Sequence, residues 1–122
     1  IFGAPIDHPD GAAAALAAAR ELAHELTSVL GSNDFGIGVS AGRAIAGHIG
    51  AQARFEYTVI GDPVNEAARL TELAKNEPGN VLASASAVME ARDQEALRWD
   101  VGETVELRGR NVSTQVARPR RI

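Results

Sequence analysis

The sequence predicts an α+β domain over residues 1–122: a sheet containing antiparallel strands, with helices on one face. Three observations predict it. Leu16, Ala19, Leu22, Ala23, Leu26, Val29 and Leu30 form an apolar stripe at helical spacing. Tyr57-Thr58-Val59-Ile60 is a run of strand formers that passes through Gly61 directly into a helix-like segment. Short strand-like pieces also lie next to one another, between residues 35 and 60 and again after residue 97, rather than alternating strictly with helices.

The elements follow in order. His8–Leu30 reads as a helix, with Asp7 or His8 as its cap, Pro9 and Asp10 in its first turn, and Gly31-Ser32-Asn33-Asp34 ending it. Phe35–Ser40 reads as a strand, and Ala41–Ile49 as a second extended piece that Gly42 and Gly47 allow to bend. Tyr57–Ile60 is the next strand. Asp62 is read as the cap and Pro63 as the first residue of a helix reaching about Lys75. Asn76-Glu77-Pro78-Gly79-Asn80 is a turn cluster. Val81–Ala83 is a short strand, and Ser84 caps a helix to about Arg92. Leu97–Val101 and Glu103–Leu107 read as two strand pieces around Gly102, and Val112–Ala117 as the last strand, with Arg118, Arg120 and Arg121 as a fraying basic tail.

Composition narrows the function. With 45% apolar residues the chain has the content of an ordinary folded domain. A net charge of −4 is not that of a nucleic-acid binder. There is no cysteine, hence neither a disulfide framework nor thiolate chemistry. No apolar run reaches the roughly 18 residues that would cross a bilayer. His8, His24 and His48 are scattered without ligand spacing, so no zinc site is expected. Gly36-Ile37-Gly38-Val39-Ser40-Ala41 fits a loose dinucleotide fingerprint, but the Gly42-Arg43-Ala44 that follows is not a capped helix, which that motif needs.

The chemistry is concentrated in Tyr57 to Leu70. Asn65 and Arg69 are four apart and so project from one helix face. An amide beside a guanidinium near a helix start suits an anionic, oxygen-rich ligand, and the helix N-terminus adds positive potential. The alternative for the same residues is an exposed polar face, with Arg69 pairing to Glu66 or Glu72.

The run Tyr57, Thr58, Gly61, Val64-Asn65, Ala67, Arg69, Leu70 resembles the central motif of the class III nucleotide cyclases, the enzymes that form cyclic AMP or cyclic GMP. Phe35 to Gly42 is similar to that family's preceding glycine-containing strand, and Val105-Glu106-Leu107-Arg108-Gly109 to its late strand. The style is most like actinobacterial adenylate cyclases. The resemblance implies a ferredoxin-like core and an adenylate cyclase activity that converts ATP to 3′,5′-cyclic AMP and pyrophosphate. It gives Asn65 the orientation of the ribose, Arg69 the transition-state phosphate, Thr58 the choice of base, and Arg108 the terminal phosphates. Many adenylate cyclases carry Asp where this chain has Thr58. A hydroxyl both donates and accepts, so guanylate cyclase stays open, as does a cyclase-like regulatory domain that binds nucleotide without turnover.

The same resemblance implies two divalent cations, Mg²⁺ or Mn²⁺, on two aspartates. Phe2-Gly3-Ala4-Pro5 matches the family segment that follows those aspartates, so both are expected upstream of Ile1; Asp7, Asp10 and Asp34 do not replace them. The chain is therefore expected to be the C-terminal part of a catalytic domain, inactive alone. Further expectations from the family are a homodimer with composite sites, a cytoplasmic catalytic domain, and room for regulatory domains or a membrane anchor on a longer parent chain.

Overall fold

The computed structural model describes residues 2, 10–31, 34–43, 45–49, 56–92, 94–110 and 112–120, with the backbone alone for 45–49 and 56–60. The described elements run α1 (Gly11–Leu30), β1 (Ile37–Val39), β2 (Ile45–Ile49), β3 (Glu56–Ile60), α2 (Asp62–Ala74), β4 (Val81–Ser84), α3 (Ala85–Glu90), β5 (Trp99–Val105) and β6 (Thr114–Pro119), with a 3-10 turn at Gln94–Arg98 before β5. One sheet has the order β1-β4-β6-β5, and β2 and β3 form a separate two-stranded ladder. β1 and β4 are parallel, with Ile37 opposite Val81 and Val39 opposite Ala83. β4 with β6, and β6 with β5, are antiparallel. The fold is thus α+β with a mixed sheet.

The helices cover both faces of this sheet, not one face as the sequence reading expects. β4 is the reason. Val81, Leu82, Ala83 and Ser84 are all buried, so this strand has no solvent face. Side chains alternate across a strand. Val81 and Ala83 pack with Leu16 and Ala19 of α1, Ala87 and Val88 of α3, and Trp99. Leu82 points the other way, to Leu70 and Ala74 of α2 and to Leu107.

α1 is capped by Asp10, whose carboxylate accepts from the Ala13 amide at 3.4 Å, so its cap is neither Asp7 nor His8, both of which lie outside the described residues. The same carboxylate accepts from the Arg92 amide at 3.1 Å, which ties the start of α1 to the end of α3. Of the apolar stripe of α1 only Leu16 and Ala19 are buried, while Leu22, Val29 and Leu30 are exposed; Ala13, outside the stripe, is buried as well. Strands Leu97–Val101 and Glu103–Leu107 are one strand, β5, with a register irregularity between Val101 and Thr104 that brackets Gly102. The expected basic tail is not frayed up to residue 120. Arg118 donates to Glu77 at 2.8 Å and to Glu103 at 2.7 Å, and Arg120 to Asp100 at 2.8 Å. Arg121 lies outside the described residues.

The glycines of β1 set the seat of α2. A Cβ on Gly38 would come within 2.5 Å of the Ala67 carbonyl and 2.6 Å of the Thr71 amide. Gly36 likewise faces Thr71 and Lys75. The Gly-x-Gly pattern that imitates a dinucleotide fingerprint is therefore a packing surface, which lets the backbone of α2 lie directly on the strand.

Candidate functional site

α2 carries the first two candidate residues. It starts at Asp62, with Gly61 in the cap position and Pro63 inside the first turn. Asp62 is thus helical and not the cap: its carboxylate turns to Arg110, with Nε–Oδ1 at 2.9 Å and Nη2–Oδ2 at 2.6 Å. That hydrogen-bonded guanidinium holds the Asp62 carboxyl below its ordinary range, and Arg110 is raised in turn. A carboxylate already occupies the helix start, so the positive potential there is partly compensated before any ligand arrives. Asp62, Glu66, Leu70 and Ala74 repeat at one helical face, and the last three are buried. Asn65 is exposed and Arg69 half-buried on the neighbouring face, one turn apart.

The next candidate comes from elsewhere in the sequence. Residues 107–110 form a tight turn closed by the Arg110 amide on the Leu107 carbonyl at 3.2 Å. Gly109 takes φ +86° in it, a value that strains any residue with a Cβ. This leaves Arg108 at the tip with its side chain exposed. Arg69 Nε donates to the Arg108 carbonyl at 3.0 Å. The structure therefore brings Arg69 against the Arg108 turn, with Asn65 one turn earlier on α2. An open depression of about 460 Å³ adjoins the turn, lined by Arg108, Gly109, Arg110 and Ser113 among others. Arg69 also pairs with Glu72 at 3.0 Å, across a contact exposed to solvent. Of the two partners the sequence offers it, Glu72 is taken, because Glu66 faces inward to Arg110.

Thr58 lies in β3 with its backbone opposite Gly47 of β2, and its side chain lies outside the described part of the structure.

Sequence reasoning missed Arg110. It reaches α2 at two levels, Asp62 and Glu66, the second at 2.7 Å between two nearly buried side chains. Thr114 donates to Glu66 at 2.7 Å, and Ser40 donates to its other oxygen. A signal for this existed: Glu66 stands at i−4 from Leu70 and i−8 from Ala74, so a carboxylate lies on the buried stripe and requires a cationic partner.

For a metal, the described residues do not fit. Among the described residues no group of three or more His, Asp or Glu side chains converges. The carboxylates nearest the candidate site, Asp62, Glu66 and Glu72, are each engaged by a guanidinium. Among the described residues, too, no helix is long and apolar enough to cross a membrane.

Comparison with known proteins identifies the family and the fold. The chain is 54% identical over 119 residues to an uncharacterized protein of Mycobacterium tuberculosis, a match that covers 98% of this chain and 22% of that protein. An uncharacterized protein of Mycobacterium bovis is 51% identical over 121 residues, again over 98% of this chain and 21% of the relative. The chain thus spans about a fifth of the length of these relatives. The crystal structure of the guanylyl cyclase Cya2 is 27% identical, with a TM-score of 0.63, over 95% of this chain and 61% of that one. A bacterial light-regulated adenylyl cyclase shares the fold at 22% identity, with a TM-score of 0.72, over 89% of this chain and 33% of that one. The profile of the family described as adenylate and guanylate cyclase catalytic domain matches residues 13–117, and the chain belongs to that family.

Proposed function

We propose that this chain is part of an adenylate cyclase catalytic domain that converts ATP to 3′,5′-cyclic AMP and pyrophosphate, and that it supplies the ribose- and phosphate-binding half of the site. The observation that carries the reading is the junction of Arg69 with the Arg108 turn, beside the exposed Asn65. In this reading Asn65 orients the ribose through its amide, which both donates and accepts. Arg69 stabilises the charge that develops on the phosphoryl oxygens as the ribose 3′ oxygen attacks the α-phosphate. Arg108 meets the terminal phosphates, where a planar fork suits the oxygens. Thr58 contributes to the choice of adenine.

Family membership supports Mg²⁺ or Mn²⁺ in the complete enzyme, which would offset the charge of the triphosphate. No step is assigned to them on this chain, since its described carboxylates form no such site. We place the metal-binding carboxylates elsewhere in a longer protein that acts as a homodimer with composite sites. The length of the relatives supports this placement. A guanylyl cyclase among the structural neighbours favours GTP as the second substrate to test.

The test compares cyclic AMP and cyclic GMP formation by the full-length natural protein with that by the 122-residue chain, each with Mg²⁺ and with Mn²⁺. Metal-dependent cyclic AMP formation by the full-length protein alone is the expected result. Turnover by the isolated chain would move the metal site into it. A full-length protein that binds ATP without turnover would make the domain a nucleotide-binding regulator.

A further inference from the structure

Glu66 stands one residue after Asn65 and three before Arg69, and it is 6% exposed. Ser40, Thr114 and Arg110 all donate to its two oxygens. Arg110 continues from there to both oxygens of Asp62, one turn earlier on α2. The last residue of the 107–110 turn is thus fastened to α2 at two levels. The second residue of that turn is fastened in the opposite sense, since Arg69 reaches from α2 to the Arg108 carbonyl. Two ties running in opposite directions fix the turn as a unit on the helix.

We propose that Arg110 is a positioning residue: through Glu66 and Asp62 it clamps the 107–110 turn onto α2 and so sets Arg69 and Arg108 in a fixed mutual geometry. This rests on the nucleotide cyclase reading given above. The physical need is clear in that reading. The Arg69 and Arg108 guanidinium groups are like charges and repel, so the single bond from Arg69 to the Arg108 carbonyl needs a second tie to hold the turn in place. Donors act on a transition state in proportion to how well they are already placed, and about 1 Å of misplacement costs roughly 10²-fold in rate. Arg110 can hold three carboxylate oxygens because its fork carries five N–H donors in one plane, where lysine offers one compact ammonium. Its side chain is 10% exposed and its bonds are taken by Asp62, Glu66 and Thr114, so its effect on the reaction passes through Arg69 and Arg108.

The experiment uses the full-length protein with Arg110→Lys and Arg110→Gln, alone and in an Arg69→Ala background. Steady-state kinetics with ATP and GTP are combined with hydrogen–deuterium exchange over peptides spanning 104–113 and 11–30. In the wild-type background kcat is expected to fall by about 10- to 100-fold through Arg69, with a rise in KM through Arg108. In the Arg69→Ala background the same substitutions should cost less than in the wild-type background, because one of the two residues they act through is gone. Exchange should rise over 104–113 and stay unchanged in α1. Lysine is the milder variant and keeps the charge, so loss of rate with an intact α1 separates misplacement from unfolding. Equal losses in both backgrounds, wild-type kcat in Arg110→Lys, or unchanged exchange over 104–113 would each overturn the proposal. A wild-type protein that forms neither cyclic nucleotide defeats the cyclase reading alone, and the exchange measurement still decides the clamp.

Discussion

Arg69 Nε donates to the backbone carbonyl of Arg108 at 3.0 Å, which joins two residues 39 positions apart in the sequence. The bond goes to the carbonyl and leaves the Arg108 side chain exposed. One guanidinium is thus oriented by the turn that presents the other. Arg69→Ala in the full-length protein is expected to lower kcat by about 10²–10³, the usual cost of one placed donor, with a much smaller change in KM. Thermal stability should stay close to wild type, because the ion pair lost with Glu72 is solvent-exposed. Unchanged kcat would remove Arg69 from the reaction.

Base selection tests Thr58. If its hydroxyl bonds the base, Thr58→Ala should change the ratio of kcat/KM for ATP over that for GTP by about fivefold, the worth of one neutral hydrogen bond of about 1 kcal/mol. Parallel kinetics with both nucleotides measure it. An unchanged ratio returns Thr58 to the role of a strand residue opposite Gly47.

Gly38→Ala probes the seat of α2. The added methyl meets backbone atoms of Ala67 and Thr71 at 2.5–2.6 Å, and neither can turn aside as a side-chain end would. The helix must shift, with a loss of roughly 1–3 kcal/mol in stability. Because Asn65 and Arg69 ride on that helix, kcat should fall as well. Denaturant unfolding and kinetics on the same variant check both outcomes, and a variant with wild-type midpoint and rate would show that α2 does not rest on β1 this closely.

Acid sensitivity follows from the arginine-held carboxylates. Hydrogen bonding to Arg118 lowers both Glu77 and Glu103, the latter from 4.5 to about 2. Burial pushes Glu95 up, but hydrogen bonds from Arg20 and Trp99 outweigh it, so it too ends lower. A depressed folded-state value means that the unfolded chain takes up protons first as pH falls. The stabilisation is complete above pH 4.5 and is lost on the way down to about pH 2. Melting temperature should therefore drop across that window, and the drop should be shallower in Glu103→Gln. Glu103 is exposed, so added salt should weaken the difference. An equal drop in wild type and variant would detach Glu103 from the effect.

The sequence by itself determined the local elements and the motif. The strand run Tyr57–Ile60, the break at Gly61 and the helix after it are written in neighbouring residues, because propensity and period act over one or two turns. The spacing of Asn65 and Arg69 follows from the helical repeat alone. Ser84 as a cap is equally local, and its Oγ accepts from the Ala87 amide at 3.2 Å. Only the tertiary structure decided which face each element buries and what each charge meets. β4 is buried throughout, and its period says nothing of which helix lies on which side. Asp62 is as good a cap by type as Asp10, yet it is drawn into the helix and to Arg110, a residue 48 positions away. Arg118 and Arg120 read as a loose tail until the register of β5 and β6 sets them beside Glu103 and Asp100. Ion pairs of this kind depend on chain segments that meet only after folding, and a charge in the sequence carries no label for its partner.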